Sequence, residues 1–416
     1  MYSEMACPFE IISVVPQKRK FDNQYLSFNT SKGIHMKTML IAILTAGWML
    51  ATAAEANETK NEIVLGQSAP LSGSFSELGK AYRDGAQLYF SKVNSEGGVH
   101  GRQIRLLTLD DAYLPKRAEE NTRQLIQKDR VFALFGHMFT SAVRASLAVA
   151  SEAGVPYIAP YAGYEELYSK HNPVLFMTRA SFATEMDTLL RHVQAMGLQR
   201  VALVRYDSAP GKELLQEFET KLAGLGLKPI GIGTMKLNSR DPAAAVDQLV
   251  DSRPSGIVLG VSGADAVEFI KAFNARAKAK PVQYLARSLV GGHQLVEQLG
   301  AESRGVVMTQ LAPSPFNGKT RLAREYRTEL KSAATQRGQK IPPSYIGFEG
   351  YIAAKIMVEG LRRAGPNATR AGLIAAMETM RDWDGGDVFV AYSPTNHNGV
   401  KFVTVTVIGP SGHFIE

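Results

Sequence analysis

From residue 61 onward, short runs of apolar, often β-branched residues alternate with longer stretches in which apolar positions recur every three or four residues. Ile63, Val64 and Leu65 form the first run. Leu78, Tyr82, Gly85 with Ala86, Tyr89 and Val93 then mark one face of a helix, which the polar and glycine-rich stretch 94–98 ends. The same rhythm predicts strands over 104–109, 131–135 and 156–159, with helices from Pro115 and over 141–153. It restarts beyond residue 180, with helices over 182–196, 212–223, 242–250 and 264–277. Strands over 200–204, 229–234, 257–259 and 282–285 lie between them. A helical block over 319–380 and two strands, 388–390 and 402–407, complete the pattern. Strands that alternate with helices of this length build βαβ units, and strands that are apolar throughout are buried on both faces. One sheet would have to absorb too many strands. The expected fold class is therefore α/β, with two doubly wound parallel-sheet lobes. No short-period repeat is present, so the duplication is one of architecture.

Composition changes this picture at one place. The chain has 416 residues, 45% hydrophobic and 21% charged, as expected for a globular protein of two or three domain-sized units. HMKTMLIAILTAGWMLATAAEAN, residues 35–57, stands apart. Lys37 precedes an apolar centre over 39–50, and Ala54, Glu55 and Ala56 give an A-x-A site before Asn57, with Ala51, Thr52 and Ala53 as a second choice. Residues 36–56 are expected to be a signal peptide and the mature protein to be exported to the periplasm. An uncleaved anchor is the other reading. Met36 is then the simplest start, with 1–35 an upstream leader without a fold; a genuine long n-region is the alternative. The one cysteine, Cys7, precedes this run, so neither disulfides nor a lipid-anchoring cysteine are expected in the mature chain. The net charge of +8 is dispersed, and its only tight cluster (Lys18, Arg19, Lys20) lies in the leader. Such a surface reads as solvated rather than as a nucleic-acid site.

The motifs of common enzymes are missing. There is no H-E-x-x-H, no i,i+4 histidine pair and no P-loop, so no metal and no cofactor are expected. Gly231, Ile232 and Gly233 lack the third glycine of a dinucleotide fingerprint. Gly260, Val261, Ser262 and Gly263 fall one residue short of a nucleophile elbow, which leaves Ser262 as a loop serine. His137 follows the strand over 131–135, where an open α/β sheet faces its ligand. No catalytic residue is expected. The loops at the carboxyl ends of the strands are 68–79, 136–141, 160–163, 207–210, 261–263 and 286–288. They are rich in hydroxyls, glycines and aromatics and poor in carboxylates, which suits a small molecule with one polar and one apolar end. His137, Ser208 and Ser262 are candidates to line its site.

GQSAPLSGSFSELGKAYRDGAQLYFSKVNSEGGVHGRQIRLLTLDD, with VFALFG, GVPYIAP and the late SPTNHNG, resembles the leucine/isoleucine/valine-binding family of periplasmic solute receptors over residues 61–416. The resemblance implies a type I bilobed protein that binds a small ligand in its interlobe cleft, does no chemistry and serves an ABC permease of the inner membrane. It implies a monomer whose lobes are joined by three crossovers, near 178–181, 308–312 and 382–388. Lobe 1 would hold 57–179 and 312–385, and lobe 2 would hold 180–311 and 386–416. Closure around the ligand would be a hinge motion. The family's hydroxyl and main-chain N–H groups for a ligand carboxylate fall on Thr140 and Ser141. A second loop, usually P-x-A-T, reads Pro160, Tyr161, Ala162, Gly163, and a family aromatic falls near Pro210. The family's acidic anchor for an ammonium falls on Ser288, beside Arg287. A buried ammonium without a paired carboxylate is costly. The expected ligand is therefore an aromatic or short aliphatic acid or amide rather than an α-amino acid. Arg287 would meet its carboxylate, and Phe75, Leu78, Met138, Phe139 and Tyr161 would line an apolar slot. A sensor of the same fold is an alternative. An α/β enzyme lacks its motifs, and a DNA-binding regulator lacks an N-terminal helix-turn-helix.

Overall fold

The structure is a computed structural model and describes residues 61–416 apart from 74, 238 and 278–281. The expected leader, 1–35, and signal peptide, 36–56, lie outside the described residues.

Two separate sheets form. In the first, β1 (Glu62–Ala69), β2 (Gln103–Asp110), β3 (Ala133–Phe135), β4 (Tyr157–Ile158) and β5 (Leu175–Phe176) run parallel in the order β2-β1-β3-β4-β5. The second contains β6 (Val201–Tyr206), β7 (Ile232–Met235), β8 (Gly256–Gly260), β9 (Gln283–Ala286) and β10 (Val307–Gln310). These are parallel in the order β7-β6-β8-β9-β10, the same winding as the first sheet. Past a short hairpin of β11 (Trp383–Asp384) and β12 (Phe389–Val390), the chain adds β13 (Thr404–Ile408) antiparallel to β10 and β14 (Phe414–Ile415) antiparallel to β13. The architectural duplication expected from the sequence is therefore present strand for strand. In this winding the crossovers leave in opposite directions beside the first strand, between β1 and β3 and between β6 and β8. The carboxyl ends there form the natural ligand crevice.

The late helical block belongs to the first lobe. Helix Tyr345–Ala364 lies along helix Ser76–Ser95 with backbone almost on backbone. A Cβ on Gly85 would stand 1.8 Å from the Gly347 carbonyl oxygen, and one on Gly350 would stand 2.1 Å from that of Tyr82.

Two of the expected crossover positions shift. Met308, Thr309 and Gln310 are β10 itself, paired with β9 and β13, so the second passage starts only after them. The third, expected near 382–388, comes later. Met177 N–H donates to the His397 carbonyl (2.9 Å), Gly399 N–H donates to the Met177 carbonyl (3.1 Å), and the His397 ring stacks on Phe176 at 3.8 Å. Residues up to Gly399 thus stay on the edge of the first sheet, where 386–416 had been expected in lobe 2. The chain rejoins the second sheet at β13.

Candidate functional site

The carboxyl ends of the two sheets face each other across a cavity of about 320 Å³. Its walls come from the segments that strand order singles out: Phe139, Thr140 and Ser141 after β3, Tyr206 at the end of β6 and Ser208 after it, Val261 and Ser262 after β8, and Arg287 and Leu289 after β9. Phe75, from the segment after β1, and Ala112, Tyr113, Leu114 and Pro115, after β2, complete the first-lobe side.

The polar end on the first lobe is the start of helix Thr140–Glu152. The first N–H groups of a helix have no intrahelical partner and carry the positive end of its dipole, so they favour an anion. The turn that aims them is tight. Gly136 has φ +64°, and a Cβ there would meet the Gln67 amide and the Tyr82 ring, each at 2.9 Å. Phe139 holds φ 69°, a conformation costing a non-glycine residue about 1–3 kcal/mol that concentrates at functional sites. Thr140 is buried, and its Oγ1 has no hydrogen-bond partner among the described residues. An orphaned hydroxyl beside free helix N–H groups is suited to a carboxylate.

The apolar wall is aromatic. The Phe75 ring lies 4.3 Å from Tyr113 and 4.7 Å from Phe139, and Tyr113 meets Phe139 edge-on at 5.0 Å. Phe182 and Tyr164 face them, 5.4 Å apart. Gly163 explains Phe182. A Cβ at Gly163 would lie 2.3 Å from the Phe182 ring, so the space a threonine side chain would take at that position is filled by an aromatic ring.

On the second lobe, Arg287 is buried. Its guanidinium sits 4.4 Å from the centre of the Phe182 ring, with one 3.5 Å contact to Glu217 Oε2. Burial pushes the Glu217 carboxyl up, against the pull of Arg287. Helices Ala209–Ala223 and Gly263–Arg276 also begin at the cavity, behind Ser208 and Ser262. The Tyr206 hydroxyl accepts from the Ser262 N–H (2.8 Å) and donates to Asp265, which lies behind the wall. Among the described residues, no Asp or Glu lines the cavity and Arg287 is its one charged side chain. Three helix N-termini lend it positive potential, while the Arg287 guanidinium is partly offset by Glu217 just outside the lining.

Of the residues singled out in the sequence, Phe75, Phe139, Thr140, Ser141, Ser208, Pro210, Ser262 and Arg287 meet at this cavity. The other seven do not. His137 is core: its Nε2 faces Thr122 Oγ1 at 3.1 Å, its ring meets Tyr157 edge-on, and burial lowers its pKa to about 3, so it stays neutral. Met138 is fully buried. Tyr161 lies under the Arg179 guanidinium at 3.8 Å, Ala162 packs in the core behind it, and Gly163 serves as the seat of Phe182. Ser288 turns away from the cavity because it follows Arg287 directly and opens a 3₁₀ turn. Its N–H donates to Glu185 Oε2 (2.8 Å) and its Oγ accepts from Arg179 Nη2 (3.0 Å). Ser288 and Leu78 instead border a smaller opening of about 130 Å³. Position 288, where an acid was sought, thus does not face the site; the lack of carboxylates rests on the whole lining. Tyr113, Tyr164, Phe182 and Tyr206 were not foreseen as wall residues. The one available signal is that Tyr206 ends β6 and Tyr113 follows β2 by three positions; Tyr164 and Phe182 lie six positions past β4 and β5.

The family profile described as "Periplasmic binding protein" matches residues 62–412. A Leu/Ile/Val-binding protein homologue of Brucella abortus is 26% identical over 368 residues, 82% of this chain and 84% of its own. A substrate-binding periplasmic protein from Ralstonia solanacearum superposes with a TM-score of 0.79 at 29% identity, covering 85% of this chain and 99% of that one. An ABC-transporter solute-binding protein from R. palustris, in complex with benzoate, superposes with a TM-score of 0.72 at 23% identity, covering 85% and 95%. The chain belongs to the periplasmic binding protein family, of the leucine/isoleucine/valine-binding type and the type I fold, whose members bind substrates and are not enzymes.

Proposed function

We propose that this protein is the solute receptor of an ABC importer. It is exported by the 36–56 signal and takes a small carboxylic acid without an ammonium group into the interlobe cavity for delivery to an inner-membrane permease. One observation carries the ligand reading: an aromatic-walled cavity with an unpartnered Thr140 hydroxyl at a helix N-terminus, a buried Arg287 and no carboxylate among its described lining residues. The carboxylate sits on the first turn of Thr140–Glu152, with Arg287 on the opposite wall. A ring or branched chain fills the space between Phe75, Tyr113, Phe139 and Phe182. The benzoate complex of the R. palustris relative supports the plausibility of this class in the fold. An α-amino acid brings a cation that nothing on the wall neutralises, at a cost of several kcal/mol.

A thermal-shift series tests this, because a ligand that binds only the folded state raises Tm as its concentration exceeds Kd. Benzoate and 4-methylpentanoate are expected to raise Tm, leucine and isobutyramide to leave it unchanged, and Arg287→Ala to abolish the benzoate shift. A leucine shift that survives Arg287→Ala overturns the ligand class and leaves the receptor role standing.

A further inference from the structure

Arg144 and Glu213 do not line the cavity, yet each stands one helical turn outward from a residue that does or that opens the helix beside it. Arg144 lies four positions after Thr140 and Glu213 four after Ala209, on two of the three helices whose N-termini meet at the site. They join across the lobes through two parallel contacts, Nη1 to Oε1 at 3.1 Å and Nη2 to Oε2 at 3.2 Å. Glu166, of the first lobe, holds the Nε side of the same guanidinium, and the Tyr164 ring lies 5.1 Å from it. The Tyr164 hydroxyl itself crosses the gap and donates to the Pro210 carbonyl at 2.7 Å. Tyr164 and Pro210 are both cavity-wall residues.

From this arrangement we infer that Arg144–Glu213 is a latch that sets how long the receptor stays closed, and so the residence time of its ligand, without touching the ligand. The inference rests on the receptor reading above. The geometry supplies the coupling: any ligand that draws the starts of helices Thr140–Glu152 and Ala209–Ala223 together brings the latch residues into register one turn further out. Glu166 and the Tyr164 ring fix the guanidinium in advance, so little side-chain freedom is lost when Glu213 arrives. A bidentate arginine–carboxylate pair is also directional and selects one closed orientation of the lobes. At the far edge of the cleft, a single Gln294 Nε2 to Glu77 Oε2 bond (2.9 Å) crosses between the lobes, without a second charge.

The test needs no knowledge of the natural ligand. Spin labels are placed on Lys116→Cys and Glu219→Cys, two exposed helix positions on opposite lobes, in the full chain with Cys7→Ser. The distance distribution is then measured without ligand for the parent, Arg144→Ala, Glu213→Gln and the double variant. A short-distance population is expected in the parent and diminished in each single variant. The double variant should lose no more than either single one, since two residues acting as one unit are not additive. For benzoate as probe, each variant is expected to speed dissociation by about threefold, the scale of a partly exposed ion pair, and to leave association unchanged. Identical distributions in parent and variants, or strictly additive losses, overturn the latch. Failure of benzoate to bind overturns the ligand class alone, since the ligand-free distances still decide the latch.

Discussion

At the residue scale, the most informative atom is Thr140 Oγ1. A buried hydroxyl without a partner costs about 1–3 kcal/mol, so the fold alone has no use for it. Thr140→Val is therefore expected to leave urea-unfolding stability unchanged or raised, and to weaken acid binding about tenfold or more, the value of a hydrogen bond to a charged group. Parallel loss of stability and binding would assign Thr140 to the core instead. Sequence reading reached this residue because it follows a strand end and opens a helix, both visible as pattern. It misplaced Ser288 because neighbouring residues after a strand point opposite ways, and which one faces the ligand depends on the turn that follows. Phe182 went unforeseen for a related reason. Its ring enters the cavity only because Gly163, distant by 19 positions, leaves room for it.

At the scale of elements, legibility followed length. Long helices with a clear apolar face, and strands of five or more apolar residues, were readable because period and burial agree in them. Strands β5, β11 and β14 are two residues each and carry no periodicity, and β10 reads as a connection because Thr309 and Gln310 interrupt its apolar run; β4 and β12 are as short but lie inside the apolar runs 156–159 and 388–390 that mark them. The mid-helix glycine of Ser76–Ser95 is legible in the sequence, but its reason is tertiary: it lets Tyr345–Ala364 approach to backbone contact. Gly85→Ala places a methyl carbon 1.8 Å from the Gly347 oxygen, and backbone cannot yield as a flexible side chain can. The expected loss is about 3 kcal/mol by urea titration, at the upper end of overpacking effects. A similar methyl at Gly97, which has open space within 4 Å but φ +100°, tests backbone strain alone and should cost less.

At the scale of the whole molecule, the two lobes share one buried charge cluster. Arg179, on the first crossover, lies 3.3 Å from Glu349 of the first lobe and 3.9 Å from Glu185 of the second. Glu185 in turn accepts from Ser288 N–H and from Thr309 Oγ1 (2.5 Å), so the floor of the cleft is wired to β9 and β10. One guanidinium faces two carboxylates, and the Tyr82 and Tyr161 rings pack beside them. Burial raises the Glu349 pKa to about 7, with Arg179 pulling it down and Glu185 pushing it up. The folded state thus favours the neutral acid. The stabilisation is fully present below the ordinary carboxylate value near 4.5 and is lost as pH rises through about 7. Glu349→Gln keeps the neutral shape at every pH. Relative to wild type, its stability should therefore rise between pH 5 and pH 8 by an amount on the order of 3 kcal/mol. Parallel urea titrations across that range read the difference directly; a wild-type-minus-variant gap that stays constant with pH would place the Glu349 carboxyl in ordinary solvent and remove it from the hinge. Arg179→Leu is the complementary change. It strands two buried carboxylates without a counter-charge and should cost about 3–5 kcal/mol at pH 8, with partial recovery at pH 5 as Glu349 takes up its proton.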